Sequence, residues 1–393
     1  MTTNRPTILV CVTADNHNKF YKMTPKGQSF DVEYGRVGAN STQHTSYPIS
    51  QWDKKYNEKI KKGYVDQTDI SAVSTVKESR SFADIVSTSV RKIVNKLQSM
   101  ARDTVKNNYT VSATAVTQSM VDEAQSILNN LNTNMSVKDF NEKLIKLFTT
   151  IPRKMKKVQD YLANNENEFT TIIKREQDLL DVMRGMVITE DKEDNQDDSD
   201  NKDYLASLGL VIEEIDDKDK AIILKSLGES KDKFRNAWRV TNVKTQKAYD
   251  KFIKEHNISD TKLLWHGSRN ENWWSIINTG LVLRPTNAVI TGKMFGYGIY
   301  FAPKAKKSIG YTSLRGSYWA SGSSDTGYMA LMEVAYGNPM NVYTAQSHMD
   351  YRKLRASGNY DSLHAHAGKQ LYNDEIVVYQ QEQVTIKYLV ELG

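Results

Sequence analysis

The chain has 393 residues, with 53 Lys+Arg against 47 Asp+Glu, a length that holds two or three domains. Its composition, 39% apolar and 25% charged, excludes global disorder, and no apolar run approaches the roughly 18–20 residues that span a bilayer. Cys11 is the only cysteine, which excludes an intrachain disulfide and any multi-cysteine zinc site and fits a reducing, intracellular compartment.

The charge is uneven. Residues 1–188 carry 27 Lys+Arg against 20 Asp+Glu, and the remainder 26 against 27. A basic half beside a neutral one is expected where that half meets a polyanion, although a Lys-rich solvated surface accounts for the charge equally well. TILVCV near the N-terminus is too short for a signal-peptide core, is soon followed by Asp15, and reads as a strand. With KFYKMT and SFDVEYGRV, separated by Asn, Asp, Pro and Gly turn signals, it predicts a small β-rich module over residues 1–67. QWDKKYNEKIKKG then predicts a helix: Trp52, Tyr56 and Ile60 recur at i, i+4 and i+8, and Gly63 closes it. Lys54, Lys55, Lys59, Lys61 and Lys62 take its other face, interleaved with Tyr21, Tyr34, Tyr47, Trp52 and Tyr56. Aromatic faces beside cations suit unpaired bases and strand ends of nucleic acids; packing in a small core accounts for any one of them as well.

From residue 75 to 188 the pattern is helical. Val116, Met120, Ala124, Ile127, Leu128 and Leu131 form one stripe. SVKDFNEKLIKLF opens on Ser136 and Asp139, a helix start signal, aligns Phe140, Leu144, Leu147 and Phe148, and ends before Ile151-Pro152. EFTTIIKREQDLLDVMRG aligns Phe169, Ile172, Ile173, Leu179, Leu180 and Met183, with Gly185 as its stop. No catalytic cluster stands here, and a helical bundle is expected. Residues 189–203, ending in EDKEDNQDDSDNKD, read as an acidic linker; the ligand pattern of a calcium loop is absent.

Residues 204–393 alternate short strands and helices. Leu263, Leu264 and Trp265 predict a buried strand that ends in His266-Gly267-Ser268, and NENWWSIINTG predicts a helix closed by Gly280. A strand that ends in His-Gly-Ser before a helix is a rigid mount for chemistry, and Gly267 lets backbone approach a ligand closely. A lone histidine in a tight turn is more often core. TGKMFGYGIYFAP brings Gly292, Gly296 and Gly298 into a strand at Ile299–Ala302; it is neither a dinucleotide fingerprint nor a Walker loop. MALMEVAYGN gives another apolar strand, and NDEIVVYQQEQVTIKYLVEL gives two more, with Glu375 at the start of the first.

His266, Tyr300 and Glu375, each at a strand edge beside glycines, join Gly267, Ser308 and Tyr311 in a set that resembles the ADP-ribosyltransferase domain of the poly(ADP-ribose) polymerases. LLWHGSR, TGKMFGYGIYFA, KKSIGY, LMEVAYGN and the NDEIVVY segment stand in that family's order. TQSMVDEAQSIL, LFTTIPRKM and EQDLLDVM resemble its regulatory helical domain. NKFYKM and YGRVG, followed by the Trp52 helix, resemble a WGR domain, a DNA-reading module, with Tyr34 in place of the signature tryptophan. The resemblance implies a multidomain α+β chain: a WGR-like module at 1–67, an all-α regulatory bundle at 75–188, the acidic linker, and an α+β catalytic domain at 204–393 with a mostly antiparallel split β-sheet.

The activity it implies is transfer of ADP-ribose from NAD+, used as substrate, to protein acceptors including the enzyme itself. Cleaving the nicotinamide–ribose bond passes through an oxocarbenium-like sugar, as glycosidic cleavage does in general. The resemblance gives His266 a ribose hydroxyl, Gly267 and Ser308 the nicotinamide carboxamide, and Tyr300 and Tyr311 the faces of its ring. Ser268 and Asn272 take the adenosine half, and Glu375 stabilises the developing cation and polarises the acceptor hydroxyl. A Glu at this position goes with polymer-forming members, so oligo- or poly(ADP-ribosyl)ation is expected; Asp374 stands before it where the family often has Asn. RPTNAVITG at 284–292 is expected to be the donor-site loop, with Arg284 away from the family's adenosine-contacting position. Arg36 and Trp52 are the implied contacts to DNA, with strand breaks as the stimulus. No metal and no membrane are expected, and the compartment implied is the nucleus of a eukaryote or the cytoplasm of a bacterium. Two rivals stay open: a mono-ADP-ribosyltransferase of the toxin type, and an inactive DNA-binding adaptor with an NAD-type fold.

Overall fold

The computed structural model describes residues 5–37, 41–68, 85, 87–194, 204–283 and 294–393, with backbone alone for 188–194. They fall into two compact units. One holds the described residues up to 68 together with 102–191; the other holds those between 85 and 101 with 192–194, 204–283 and 294–393. The boundary passes through α2 (Thr88–Asn108).

The first unit opens as an antiparallel meander. Strands β1 (Thr7–Thr13), β2 (His17–Lys26), β3 (Ser29–Arg36) and β4 (Gln43–Pro48) pair in succession, and β5 (Val65–Asp66) closes on β1. Gly27, at φ +64°, makes the β2–β3 turn, a backbone state open to glycine at little cost. Alternation along the strands buries Leu9, Tyr21, Met23, Phe30 and Val32, and α1 (Trp52–Lys61) adds Trp52 to that core.

Helices α3 (Gln118–Asn129), α4 (Val137–Thr150) and α5 (Phe169–Asp194) follow. The Ser136 hydroxyl caps α4 by accepting the Asp139 N–H at 3.1 Å. Phe140, Leu144, Leu147 and Phe148 are buried, and Phe140 stacks on Phe169 with ring centroids 3.8 Å apart. The expected stop at Gly185 is corrected: α5 runs on to Asp194, well into the stretch expected to be linker. Met186 and Val187, both fully buried, hold the next turn in place. Their packing outweighs the cost of about 1 kcal/mol of a glycine inside a helix. The linker's remaining residues, 195–203, lie outside the described residues.

The second unit is the expected α+β domain with a split, mostly antiparallel sheet. Five antiparallel strands run in the order β6 (Leu210–Glu214), β7 (Phe234–Asn242), β14 (Val384–Leu392), β10 (Gly327–Ala335) and β8 (Thr261–Gly267). A second sheet runs β11 (Pro339–Val342), β12 (Ser362–Ala365), β13 (Glu375–Val378) and β9 (Ile299–Phe301), with β11–β12 its one parallel pair among the described residues. Trp265 and Ala302 join the two sheets by reciprocal backbone hydrogen bonds of 2.9 Å. That seam fixes the end of β8 against the end of β9. Around the sheets stand α6 (Tyr204–Ser207), α7 (Asp217–Leu227), α8 (Val243–Glu255), α9 (Trp273–Thr279), α10 (Ala305–Ile309) and α11 (Tyr351–Gly358). No helix among the described residues is long and apolar enough to cross a membrane.

Candidate active site at the seam of the two sheets

The Trp265–Ala302 seam puts the last two residues of β8 beside β9. His266 Nδ1 lies 3.1 Å from the Tyr300 carbonyl, an acceptor only, so Nδ1 carries the proton and Nε2 keeps its lone pair. Burial holds this imidazole below the ordinary histidine range, against the opposing pull of that carbonyl, and the ring is therefore neutral near pH 7.

One residue on, the backbone of Gly267 lies tight against α10. A Cβ added at Gly267 would fall 2.0 Å from the Ser308 carbonyl oxygen and 3.3 Å from Tyr311 Cβ. The close approach expected at this glycine is thus made, in the first instance, by the chain itself. The Ser308 hydroxyl, buried, donates to the Trp265 carbonyl at 3.1 Å, and the Ser308 carbonyl accepts the Tyr311 N–H at 3.1 Å. These contacts register α10 against β8 and turn the partly exposed Tyr311 ring to the same region, where it stacks on Trp319 with centroids 6.1 Å apart.

Tyr300 enters from β9, its hydroxyl donating to the Gly296 carbonyl at 2.8 Å and accepting the Phe295 N–H at 3.1 Å. Burial first, and the nearby Glu375 carboxylate after it, raise the Tyr300 phenol well above its usual range; the same two causes raise Tyr311. Both phenols stay neutral as a result. Strand β13 brings Glu375 in beside β9, since Val377 pairs with Tyr300. Glu375 Oε1 is 2.6 Å from Lys307 Nζ, both side chains being nearly buried, and the same ammonium donates to the Asn373 carbonyl at 3.3 Å. Lys307 is a partner of the candidate Glu375 that sequence reasoning missed; its only signal was a lysine in KKSIGY beside the expected Ser308. Ser268 and Asn272 are brought together as well, Asn272 Nδ2 donating to Ser268 Oγ at 3.0 Å. The loop expected at 284–292 lies outside the described residues.

In the first unit Arg36 is engaged, its guanidinium donating to the Lys156 carbonyl at 2.6 Å and to Asn16 Oδ1 at 2.5 Å. Trp52 is buried, edge-on to Phe30 at 5.0 Å, so its ring faces are taken by the core. Lys55 lies over Tyr47, and Lys59 over Tyr21 and Tyr64. The interleaving of aromatic and basic residues in this stretch is in large part cation–π packing within the module.

Residues 218–393 match the poly(ADP-ribose) polymerase catalytic domain, and residues 7–71 match the WGR domain. The putative poly(ADP-ribose) polymerase-like protein 100L of Invertebrate iridescent virus 6 is 31% identical over 177 residues, 43% of this chain and 91% of that protein. Uncharacterized protein 101L of the same virus is 37% identical over 179 residues, 44% of this chain and 74% of that protein. Poly(ADP-ribose) polymerase 2 of Arabidopsis thaliana is 22% identical over 459 residues, 96% of this chain and 71% of that protein. On the near-complete coverage of a viral polymerase-like relative, and on the two domain matches, the chain belongs to the poly(ADP-ribose) polymerase family.

Proposed function

We propose that the chain cleaves NAD+ at the nicotinamide–ribose bond and builds oligo- or poly(ADP-ribose) on protein acceptors, itself among them. The observation that carries this reading is the juxtaposition of a neutral His266, a half-buried Tyr300 and a Lys307-paired Glu375 at one seam. The unprotonated Nε2 of His266 accepts a hydrogen bond from a ribose hydroxyl, and Tyr300 and Tyr311 flank the nicotinamide by offset stacking. As the C–N bond breaks, nicotinamide leaves with the bonding pair and positive charge grows on the sugar. Glu375, held in one orientation by Lys307, faces that charge and takes the proton of the attacking acceptor hydroxyl. Ser268 and Asn272 contact the adenosine half. Incubating purified protein with NAD+ and resolving the products tests this: a ladder or smear supports polymer formation, one discrete step supports mono-transfer, and no product removes the activity. Glu375→Gln is expected to abolish elongation while leaving NAD+ affinity within a few-fold.

DNA strand breaks are proposed as the stimulus, read by the WGR module through Arg36 rather than the buried Trp52, with the helical segment restraining the catalytic domain until DNA shifts the population. A destabilised helical segment then frees the enzyme from DNA. Glu176→Ala, which strands the buried Arg153 of that segment, is expected to raise basal turnover several-fold; unchanged basal turnover in a folded variant refutes the restraint.

A further inference from the structure

The strand that carries Glu375 has a second cluster of side chains on its other face, one that the transferase reading leaves without a role. His364 and His366 stand two residues apart at the end of β12 and so project to one side. Ala365 pairs with Glu375 and shares the opposite side with it, which sets Asp374 across from His366. His364 Nε2 lies 3.0 Å and His366 Nδ1 3.8 Å from Asp374 Oδ2, and one ligand atom from each residue lies within 4.8 Å of the others.

The remaining polar atoms of the three residues are already committed. His364 Nδ1 lies 2.8 Å from the Tyr336 hydroxyl, and Asp374 Oδ1 accepts the Ala367 N–H at 2.8 Å. His366 Nε2 lies 2.7 Å from Asn341 Oδ1, while that amide's nitrogen donates to the Pro339 carbonyl at 3.5 Å. Asn341 Oδ1 only accepts, so Nε2 carries a proton, and Nδ1 is the ring atom turned toward Asp374 Oδ2. Ligating histidines have this form, with one nitrogen bonded outward to fix the tautomer and the other left for the metal.

We propose that His364 Nε2, His366 Nδ1 and Asp374 Oδ2 bind a divalent first-row ion, Zn2+ foremost, which clips β12 to the residue preceding Glu375. Two imidazoles and one carboxylate are the donor set of zinc sites that keep an open position. Metal–ligand bonds of about 2.0–2.2 Å place tetrahedral donors about 3.3 Å apart; two of the three donor pairs stand at 3.0 and 3.8 Å, and the two imidazoles, stacked 4.0 Å apart at 21°, turn on binding to aim both lone pairs at the ion. All three side chains are partly exposed, which leaves a side open for the ion and its water. The site does not depend on the transferase reading. Its sequence signal, H-x-H followed by Asp374, carries no cysteine, so the exclusion of multi-cysteine zinc sites does not reach it.

Calorimetric titration of metal-free full-length protein with ZnCl2 tests the proposal. One equivalent is expected to bind at micromolar concentration, in the wild type and in the control His348→Ala. Binding is expected to be lost in His366→Ala and Asp374→Asn, and weakened about 10–100-fold in Asn341→Ala, where only the outer hydrogen bond is removed. His366→Gln replaces the alanine variant if that one fails to fold. Wild-type protein loaded with Cu2+ reports the ligands without any substitution, through imidazole nitrogen couplings in its electron paramagnetic resonance. Absent binding, binding that survives both His366 and Asp374 substitutions, or a copper spectrum without nitrogen coupling overturns the site.

Discussion

Gly267→Ala probes the seam with one methyl group. The added Cβ would stand 2.0 Å from the Ser308 carbonyl oxygen and 2.9 Å from its carbon. Both atoms are backbone, so no side-chain rotation relieves the clash. Opening that approach even to 3.0 Å requires the last turn of α10 to retreat from β8 by about 1 Å, and a misplacement of that size costs on the order of 100-fold in rate. The retreat also strains the Ser308 hydroxyl bond to Trp265 and carries Tyr311 with it. Overpacking costs about 1–3 kcal/mol of stability, which leaves the domain folded. The assay is nicotinamide release against NAD+ concentration, beside thermal unfolding of the same samples. Gly368→Ala, where nothing lies within 4 Å of the added Cβ, is the neutral control. A Gly267→Ala enzyme with wild-type turnover and NAD+ affinity refutes the assignment of this seam as the active site.

Lys307→Met leaves Glu375 without its 2.6 Å partner; kcat in the product-ladder assay is expected to fall about 10-fold or more, since the carboxylate is no longer held in one orientation. The His266 imidazole, depressed by burial, resists a proton that the unfolded chain takes up near pH 6.5. Stability is therefore full above about pH 6.5 and falls as pH drops through the folded value, because the unfolded state binds more protons there. The KM for NAD+ is expected to rise over the same interval as Nε2 turns from acceptor to donor; a KM that stays flat with pH contradicts this role. In the first unit, Glu176→Ala breaks a fully buried pair with Arg153 at 3.1 Å and is expected to cost about 3–5 kcal/mol in urea unfolding. Trp52→Phe is expected to keep DNA affinity within a few-fold while Arg36→Gln lowers it, as measured by fluorescence anisotropy on a nicked duplex.

The parts of the fold that were legible in the sequence are those where local signals and burial agree. Ser136 caps α4 as its S-x-x-D start predicts, and all four residues of its stripe are buried. Gly280, at φ +76°, ends α9 as expected. Gly185 misled because a local helix-breaking signal competes with long-range packing of Met186 and Val187, which no window of sequence displays. Trp52 shows the same competition: an aromatic among lysines reads as a binding face in the sequence, and on α1 it packs edge-on to Phe30 of β3. At the site, the residues on glycine-flanked strand ends stood out. Lys307 and the His364–His366–Asp374 cluster did not: the first depends on how α10 docks beside β13, the second on the register of β12 against β13, and neither is written in one element alone.

The most direct test of the account is NAD+ consumption and automodification by purified protein, with and without a nicked DNA duplex. The account predicts slow turnover alone and strong stimulation by the duplex, with a polymer smear that disappears in Glu375→Gln. Turnover indifferent to DNA contradicts the role given to the WGR module, and no turnover in either condition contradicts the transferase itself.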